Sequence, residues 1–513
     1  MKFNLCHDPW IPVIFTNGDC QDVSLDTLFR CADQIERLQT ENPPTTLAIL
    51  RFLLALLHFV YRGPVNPEHW EEIKFDKFSR VREYLSNNFR LFELFDPLKP
   101  FFQDPSLPAQ SAAVPYVNVD LHPDGTGTVF NHQHRLRTGP ISPAKAARAL
   151  LRLQFFDVPG LKSGHPKGGS NRSAVSPPLL NMANIWVCGH NLAESLLLNL
   201  MQYSPEDEIP SAFHSEDLPA WERETQPPTE RLPDGYCDYL TFQYRRVRLI
   251  ESPEGVTGIV VTKGNSFPEG GTAMSWECHQ AIKEDRPLRL SLDRQLWRDA
   301  NAFLQGSLRN DASRKLSAPR ILNWLAELAV EDLVPQQLHL SVLGFLADKA
   351  KPLAWTEEQF SAPLIYLQVP ALWQALDQAV TFAESHQQCF RTFKGSPYAC
   401  VAEAIKDSER RMVGSFDGSA QFWAALNTPF EHLLQTLPKD CQEGPYGGWI
   451  YGEKALPLWR GIVQKSARKA FTDSIQSIQN PKARAEGLRS LNYWLFKLRD
   501  DLPVQFHESD QAA

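Results

Sequence analysis

The sequence has no C-x-x-C pair, no apolar run long enough to cross a bilayer and no excess of positive charge. Its nine cysteines, Cys6, Cys20, Cys31, Cys188, Cys237, Cys278, Cys389, Cys400 and Cys441, are scattered through 513 residues. An odd number without paired spacing argues against a disulfide framework and a structural zinc site, and reads as reduced, mostly buried thiols. The most apolar stretch, residues 47–60, is interrupted by Arg51 and His58 and is too short for a membrane span. A buried helix is expected there. The opening MKFNLCHDPWIPV lacks the apolar core and small-residue cleavage site of a secretory leader. A cytoplasmic chain without a membrane partner is the expectation. Also missing are G-x-S-x-G, H-E-x-x-H, the phosphate loop and the dinucleotide glycine fingerprint. The acid pairs Glu71-Glu72 and Glu357-Glu358 read as ordinary helix-surface residues. A non-enzymatic protein needing no cofactor is therefore expected.

The net charge is −8 and the isoelectric point near 6.0. That excludes nucleic-acid binding through uniform basicity but leaves local basic surfaces open, because the field in a groove depends on charge within about one Debye length. The chain is 43% hydrophobic and 22% charged, as a globular protein is. At 513 residues it exceeds what one core organises, so two or more domains are expected. Its 39 prolines imply many loops.

Along the chain, residues 3–15 read as an edge or short strand because of Pro9 and Pro12. A helix follows Asn42, capped by Thr45 or Thr46 and ended by Gly63-Pro64. A second helix is expected over 70–88, another over 142–153 with Pro143 near its start, and an apolar one over about 191–202. Residues 239–250 and 258–262 suggest a hairpin. Beyond about residue 369, helical patterns cover 372–393, 419–437, 455–478 and 481–498, the last with Leu488, Leu491, Leu495 and Leu498 on one face. The fold class expected is α+β: a large mixed N-terminal domain over 1–368, with small β-sheets and many loops, then a C-terminal four-helix bundle over 369–513.

Four constellations bear on chemistry. Between 135 and 172 lie Arg135, Arg137, Lys145, Arg148, Arg152, Lys162, Lys167 and Arg172, opposed only by Asp157. Clustered cations supply most sequence-independent affinity for phosphate backbones, although such runs are often plain solvated faces. Interleaved with them are Gly160, Gly164, Gly168 and Gly169, and glycine lets a backbone approach a ligand closely. Phe130-Asn-His-Gln-His-Arg offers an aromatic for base stacking, and His132 and His134 as an H-x-H pair without evident further metal ligands. Finally, ten cations between Lys454 and Arg499 face only Asp473 and Glu486. One helix face there can track a phosphate backbone or simply be solvated.

Taken in order, these segments resemble the CasA family, the large subunit of the type I-E CRISPR surveillance complex Cascade. FNLCHDPWIPV resembles the family's opening, and DPLKPFFQ its H-P-F-x-Q element. PGLKSGHPKGGSNRS resembles its glycine loop, and DYLTFQYRRVRLI its L-T-W-x-x-R-x-I-x-L element. The resemblance implies a subunit that recognises the protospacer-adjacent motif of duplex DNA from the minor groove, helps unwind the target and recruits a helicase-nuclease, while guide RNA reads the sequence. Its partners would be CRISPR guide RNA, target double-stranded DNA, and CasD-type, CasC-type and small Cascade subunits.

By the same resemblance, Gly160, Leu161, Lys162, Ser163 and Gly164, with Lys167, would form the loop against the minor groove. Lys263 would stand where relatives place a groove lysine. Asp348, Lys349, Ala350 and Lys351 would form the wedge hairpin, with Ala350 where some relatives carry glutamine. Phe130, Asn131 and His132 would meet the guide RNA and the CasD-type subunit. The rival readings are an RNA-binding scaffold without duplex recognition and a metal-dependent hydrolase built on His132 and His134.

Overall fold

The structure, a computed structural model, describes residues 1–108, 112–113, 140–162, 173–269, 273–292, 294–305, 316–349, 351–405, 417–443, 449–451 and 454–499. The chain divides into two compact units. One comprises Met1–Arg294, Ala312–Pro335 and His339–Gln359, the other Gln295–Asp311, Gln336–Leu338 and Phe360–Ala513. The expected boundary at 368/369 misses the segment beginning at Gln295. Periodicity marks where long helices begin, but not which earlier residues return to pack with them.

The first unit opens with strands β1 (Ile11–Phe15), β2 (Cys20–Val23) and β3 (Ile35–Leu38), ordered β2-β1-β3. β1 is thus the short strand expected, but central rather than an edge. Pro12 is tolerated because β1 pairs with β3 only from Val13 onward, so its missing N–H falls outside that ladder. Helix α1 (Leu25–Arg30) follows, then α2 (Pro43–Tyr61), whose cap is Asn42, three residues before the expected threonine. The Asn42 side chain accepts from Thr45 N, and Pro43 and Pro44 occupy first-turn positions that need no N–H.

At 19 residues α2 is longer than the 47–60 run read from the sequence, so the expectation that it is too short for a membrane span fails on length and composition; the expected burial holds, since 83% of its most apolar window is buried inside the protein. Its two interruptions are buried as well. Arg51 pairs with Glu277 at 2.8 Å. His58 Nδ1 lies 3.0 Å from Gly63 O, which suits the neutral tautomer with Nδ1–H donating. Burial, and secondarily His279, pushes the His58 pKa down to about 3. The unfolded chain therefore binds this proton from about pH 6.5 downward while the folded chain refuses it until about pH 3. His58 stability is present above 6.5 and is lost as the pH falls through that window, at about 1.4 kcal/mol per unit. Urea midpoints of the native chain and His58→Asn, which can keep the donor, should diverge at neutral pH and converge toward pH 4. Parallel curves would refute the assignment.

The helix expected over 70–88 is two, α3 (Pro67–Asp76) and α4 (Ser79–Asn88). Lys77 and Phe78 between them both have positive φ, a conformation that breaks a helix and that no residue-type signal announced. Next come β4 (Ala112–Ala113), α5 (Pro143–Phe156), β5 (Gly160–Leu161), β6 (Ser173–Ala174), β7 (Asn184–Cys188) and α6 (Leu192–Leu198). The hairpin expected over 239–262 forms as β8 (Arg245–Ser252) and β9 (Gly255–Lys263), but its first residues belong to a short helix, α7 (Tyr236–Leu240). β4 adds to the outer edge of β9, and β5 pairs with β6. Strands Gln337–Asp348 and Lys351–Pro363 form a second hairpin, with the former also paired to β7. Glu357 and Glu358 lie on that outer strand, not on a helix. Short-range pattern cannot tell an exposed edge strand from a polar helix face.

The second unit is mostly helical. Helices Pro370–Gln387, Ser419–Thr436, Ala455–Ser474 and Pro481–Leu498 correspond to the four read from periodicity. A further helix, Pro397–Ala404, packs against the last, where a Cβ on Gly487 would lie 2.3 Å from Val401 Cγ2. Arg298, from the segment that returns, makes two 2.9 Å bonds to Glu384 and lies 3.7 Å over the Trp423 ring.

Candidate nucleic-acid interface

The glycine stretch starts at the end of α5. Asp157 leaves that helix and accepts from Arg245 Nε at 2.5 Å and from Lys162 Nζ at 2.6 Å. Arg245 is fully buried and its remaining donors all reach main-chain carbonyls. One binds Tyr244 O at 2.9 Å, and the other binds Asp157 O at 2.9 Å, Val158 O at 3.3 Å and Val175 O at 3.0 Å. One guanidinium thus holds both ends of the segment that leaves at Val158 and returns at Val175. The β5–β6 ladder closes it, with Gly160 opposite Ala174 and Leu161 opposite Ser173. Gly160 has φ +119, open to glycine and strained for other residues. Leu161 beside it is 78% exposed.

Lys162 does not play the expected part. Its side chain is buried, and its ammonium donates to Val158 O at 2.7 Å as well as to Asp157. A lysine in a glycine-rich segment reads as a solvent-facing cation, but burial beside a carboxylate stabilises it where it is. Both contacts tie it to the start of the stem. Asp157 thus accepts from two cations, Arg245 and Lys162. Ser163, Gly164 and Lys167 lie outside the described residues.

Lys263 ends β9 directly opposite Arg245 in the β8–β9 register, so the structure places it at the same stem. Its ammonium is 4.0 Å from Glu230. Gly264 follows, and a Cβ there would come 2.2 Å from Gln243 O and 2.6 Å from Arg245 N, so the strand end accepts only glycine. Buried Gln154 of α5 bonds Arg245 N at 3.0 Å and Arg245 O at 3.1 Å. Gln103, from the DPLKPFFQ segment, accepts from Leu249 N at 2.8 Å. These two amides satisfy backbone groups of β8 that no strand pairs.

Asp348 and Lys349 stand exposed at the tip of the second hairpin, Lys349 with φ +53, and Lys351 is exposed on the returning strand. Ala350 lies outside the described residues. On the same face follow Leu353, 59% exposed, and Trp355, 50% exposed. An exposed tryptophan on the same strand face as Lys351 offers a surface on which a base can stack. The sequence reading missed it, although alternation from Lys351 onward carried the signal. This hairpin belongs to the β7 sheet, apart from the β8–β9 sheet that carries Lys263.

Phe130, Asn131, His132 and His134 lie outside the described residues. Among the described ones, no group of three or more His, Cys, Asp and Glu is placed to hold a metal ion. The basic run of 135–172 is less free than its spacing suggests. Arg148 binds Glu41 and Trp10 O, and burial and Arg148 act oppositely on Glu41, whose pKa ends below the ordinary value. Near the C-terminus, Lys469 pairs with Asp473 and Arg489 with Glu486, each at 2.6 Å. Exposed Tyr493 and Phe496 share the outer face of the last helix with Arg489 and Lys497.

Besides Trp355, the residues not singled out from sequence are Arg245 and Gln154, while Asp157 figured only as the lone acid opposing the basic run. Arg245 occupies the arginine position of the L-T-F-x-x-R element, so the motif was visible and its partner was not.

Residues 4–470 match the family model described as CRISPR-associated protein Cse1. The chain is 28% identical to the CRISPR-associated protein CasA/Cse1 of Thermus thermophilus, over 98% of this chain and 99% of that one. Its fold is similar to the crystal structure of Thermobifida fusca Cse1, with a TM-score of 0.80, 25% identity and 98% coverage of each chain. A chain from a structure of a CRISPR RNA-guided surveillance complex has a similar fold, with a TM-score of 0.72 at 20% identity, over 96% of this chain and 99% of that one.

Proposed function

Because the chain belongs to the CRISPR-associated protein Cse1 family, we propose that it is the large subunit of a CRISPR RNA-guided surveillance complex and reads a short motif on target duplex DNA. In this reading it makes and breaks no covalent bond. It contacts the minor groove through the backbone of the Gly160–Leu161 strand, promotes local unwinding with the Lys349 hairpin, and recruits a helicase-nuclease. Guide RNA and the CasD-type, CasC-type and small subunits are its partners.

The observation that carries this reading is the Arg245 staple. A segment held at both ends by one buried guanidinium, with Gly160 at positive φ and Leu161 exposed, presents backbone atoms on a rigid base. Backbone presentation suits the minor groove, whose hydrogen-bond code is degenerate and needs few donors. The acidic overall charge fits as well, since only a local positive field is required.

The hairpin supplies the cleaner test, because its lysines are exposed and their removal leaves the core intact. Lys349→Ala with Lys351→Ala should weaken binding of motif-bearing duplex by a guide-loaded complex several-fold. If each lysine meets a phosphate, the slope of log affinity against log salt should fall by about 1.8. Assembly with the partner subunits should be unchanged. An unaltered affinity and slope in a filter-binding series would rule out hairpin contact. Guide-RNA binding with indifference to the duplex motif would instead indicate a scaffold.

A further inference from the structure

We propose that the first unit contains a binding site for a small free anion with an aromatic body, independent of duplex reading. A cavity of about 450 Å³ opens between α1, α3, α4 and α6, with Leu333 and Pro335 closing one side. That volume lies within the range of small-molecule sites. Phe29, Trp70, Phe78, Leu197 and Leu198 form its apolar wall. Two contacts fix the wall: Trp70 Nε1 donates to Leu197 O at 3.0 Å, and Phe29 meets Phe78 edge-on at 5.5 Å.

The polar lining is predominantly cationic. Arg30, Lys74, Lys77 and Arg82 line the cavity against Asp33 and Glu194. Two of these six are committed elsewhere. Arg30 pairs with Asp26 on its own helix, and Glu194 accepts from His190 N at 2.6 Å in the cap of α6. Lys74 is positioned 5.4 Å over the Trp70 ring. Arg82 lines the cavity as well, and its planar guanidinium would offer charge-assisted donors to an anion that enters.

A lining of apolar rings and side chains with more cations than anions selects a ligand with both halves. A bare anion would leave the aromatic wall wet, and a neutral aromatic would leave the excess of cations without a counter-charge. A phosphate or carboxylate head suits the planar arginine fork, and an aromatic body suits the ring-lined wall.

The test uses phenyl phosphate on the full chain, with inorganic phosphate and phenol as its separate halves, followed by saturation-transfer NMR. Phenyl phosphate should bind at least ten-fold more tightly than either half. Arg82→Gln, which preserves bulk and removes charge, should weaken it about ten-fold or more while leaving the urea midpoint nearly unchanged. Ala193→Phe, which fills the cavity, should abolish binding. Equal affinity for phosphate alone, or an unchanged affinity in Arg82→Gln, would overturn the assignment. So would loss of probe binding once the chain is assembled with its partner subunits, because the cavity would then be a covered protein interface.

Discussion

Glu277→Ala should lower the stability of the first unit by about 3–5 kcal/mol, as breaking a buried ion pair from one side does. The reason lies in what surrounds the carboxylate. Arg51 and Glu277 are both buried and meet at 2.8 Å. Tyr239 donates its hydroxyl to Glu277 at 2.8 Å and His279 N donates at 3.0 Å. The Arg51 guanidinium also lies over the Tyr239 ring at 4.6 Å and the Phe155 ring at 5.1 Å. Burial alone would raise the Glu277 pKa, but the Arg51 charge and these hydrogen bonds outweigh it and hold the carboxyl well below the usual range. Removing the carboxylate strands a charged arginine in the core.

Arg51→Met should be similarly damaging, because it strands the glutamate instead. The double variant Arg51→Met with Glu277→Leu should recover much of the loss, since it removes both charges and fills the space with apolar atoms. Urea midpoints of the four proteins form a double-mutant cycle. A double variant as unstable as the sum of the single ones would mean that the pair acts independently and that this account is wrong.

Arg245→Met should have the second-largest effect, and it should separate stem from surface. The substitution removes the only side chain described as bonding both Val158 O and Val175 O, and it takes from Asp157 O and Val175 O their described donor, while Val158 O keeps Lys162 and Tyr244 O keeps Gly264 N. A destabilisation of about 3 kcal/mol or more is expected. Motif-bearing duplex should bind a guide-loaded complex at least ten-fold more weakly, because the Gly160 strand loses its fixed base. Lys162→Met should be milder in both measurements, since Arg245 still neutralises Asp157. If Lys162→Met abolished duplex binding with stability intact, the lysine would reach the DNA directly and the stem role assigned to it here would fail. If Arg245→Met lost stability but kept full duplex affinity, the stapled strand would not be the reading element.

Much of the helical content was legible because helices are local. The periodicity beyond residue 369 marked four helices to within a few residues at most ends, and Pro143 marked the start of α5. Helix Pro397–Ala404 escaped because eight residues are too few for a periodic signal to stand out. The break at Lys77 and Phe78 escaped because it rests on two positive-φ residues that are not glycine, a conformation that the surrounding packing imposes.

Charge was the poorest guide. Counted along the chain, the basic run from Arg135 to Arg172 had one opponent. Counted in space, Arg148 meets Glu41, which is 107 residues away, and Lys162 turns inward to Asp157. Linear counting sees only neighbours in sequence, whereas Coulomb energy depends on distance in the fold.

The order of motifs along the chain determined by itself which family the chain belongs to, because family motifs survive as short strings that need no coordinates to read. The sequence likewise determined that α2 is an apolar helix and that the glycine stretch follows α5. Only the tertiary structure decided that Arg245, rather than Lys162, commands that stretch, and that Arg51 and His58 sit inside rather than on the surface. Arg51 meets Glu277, 226 residues away, and Arg245 meets Asp157, 88 residues away, while the burial of His58 rests on Tyr203 and Tyr236 as well as on nearby Gly63. Burial and pairing are properties of what the fold brings together, and no local pattern encodes them.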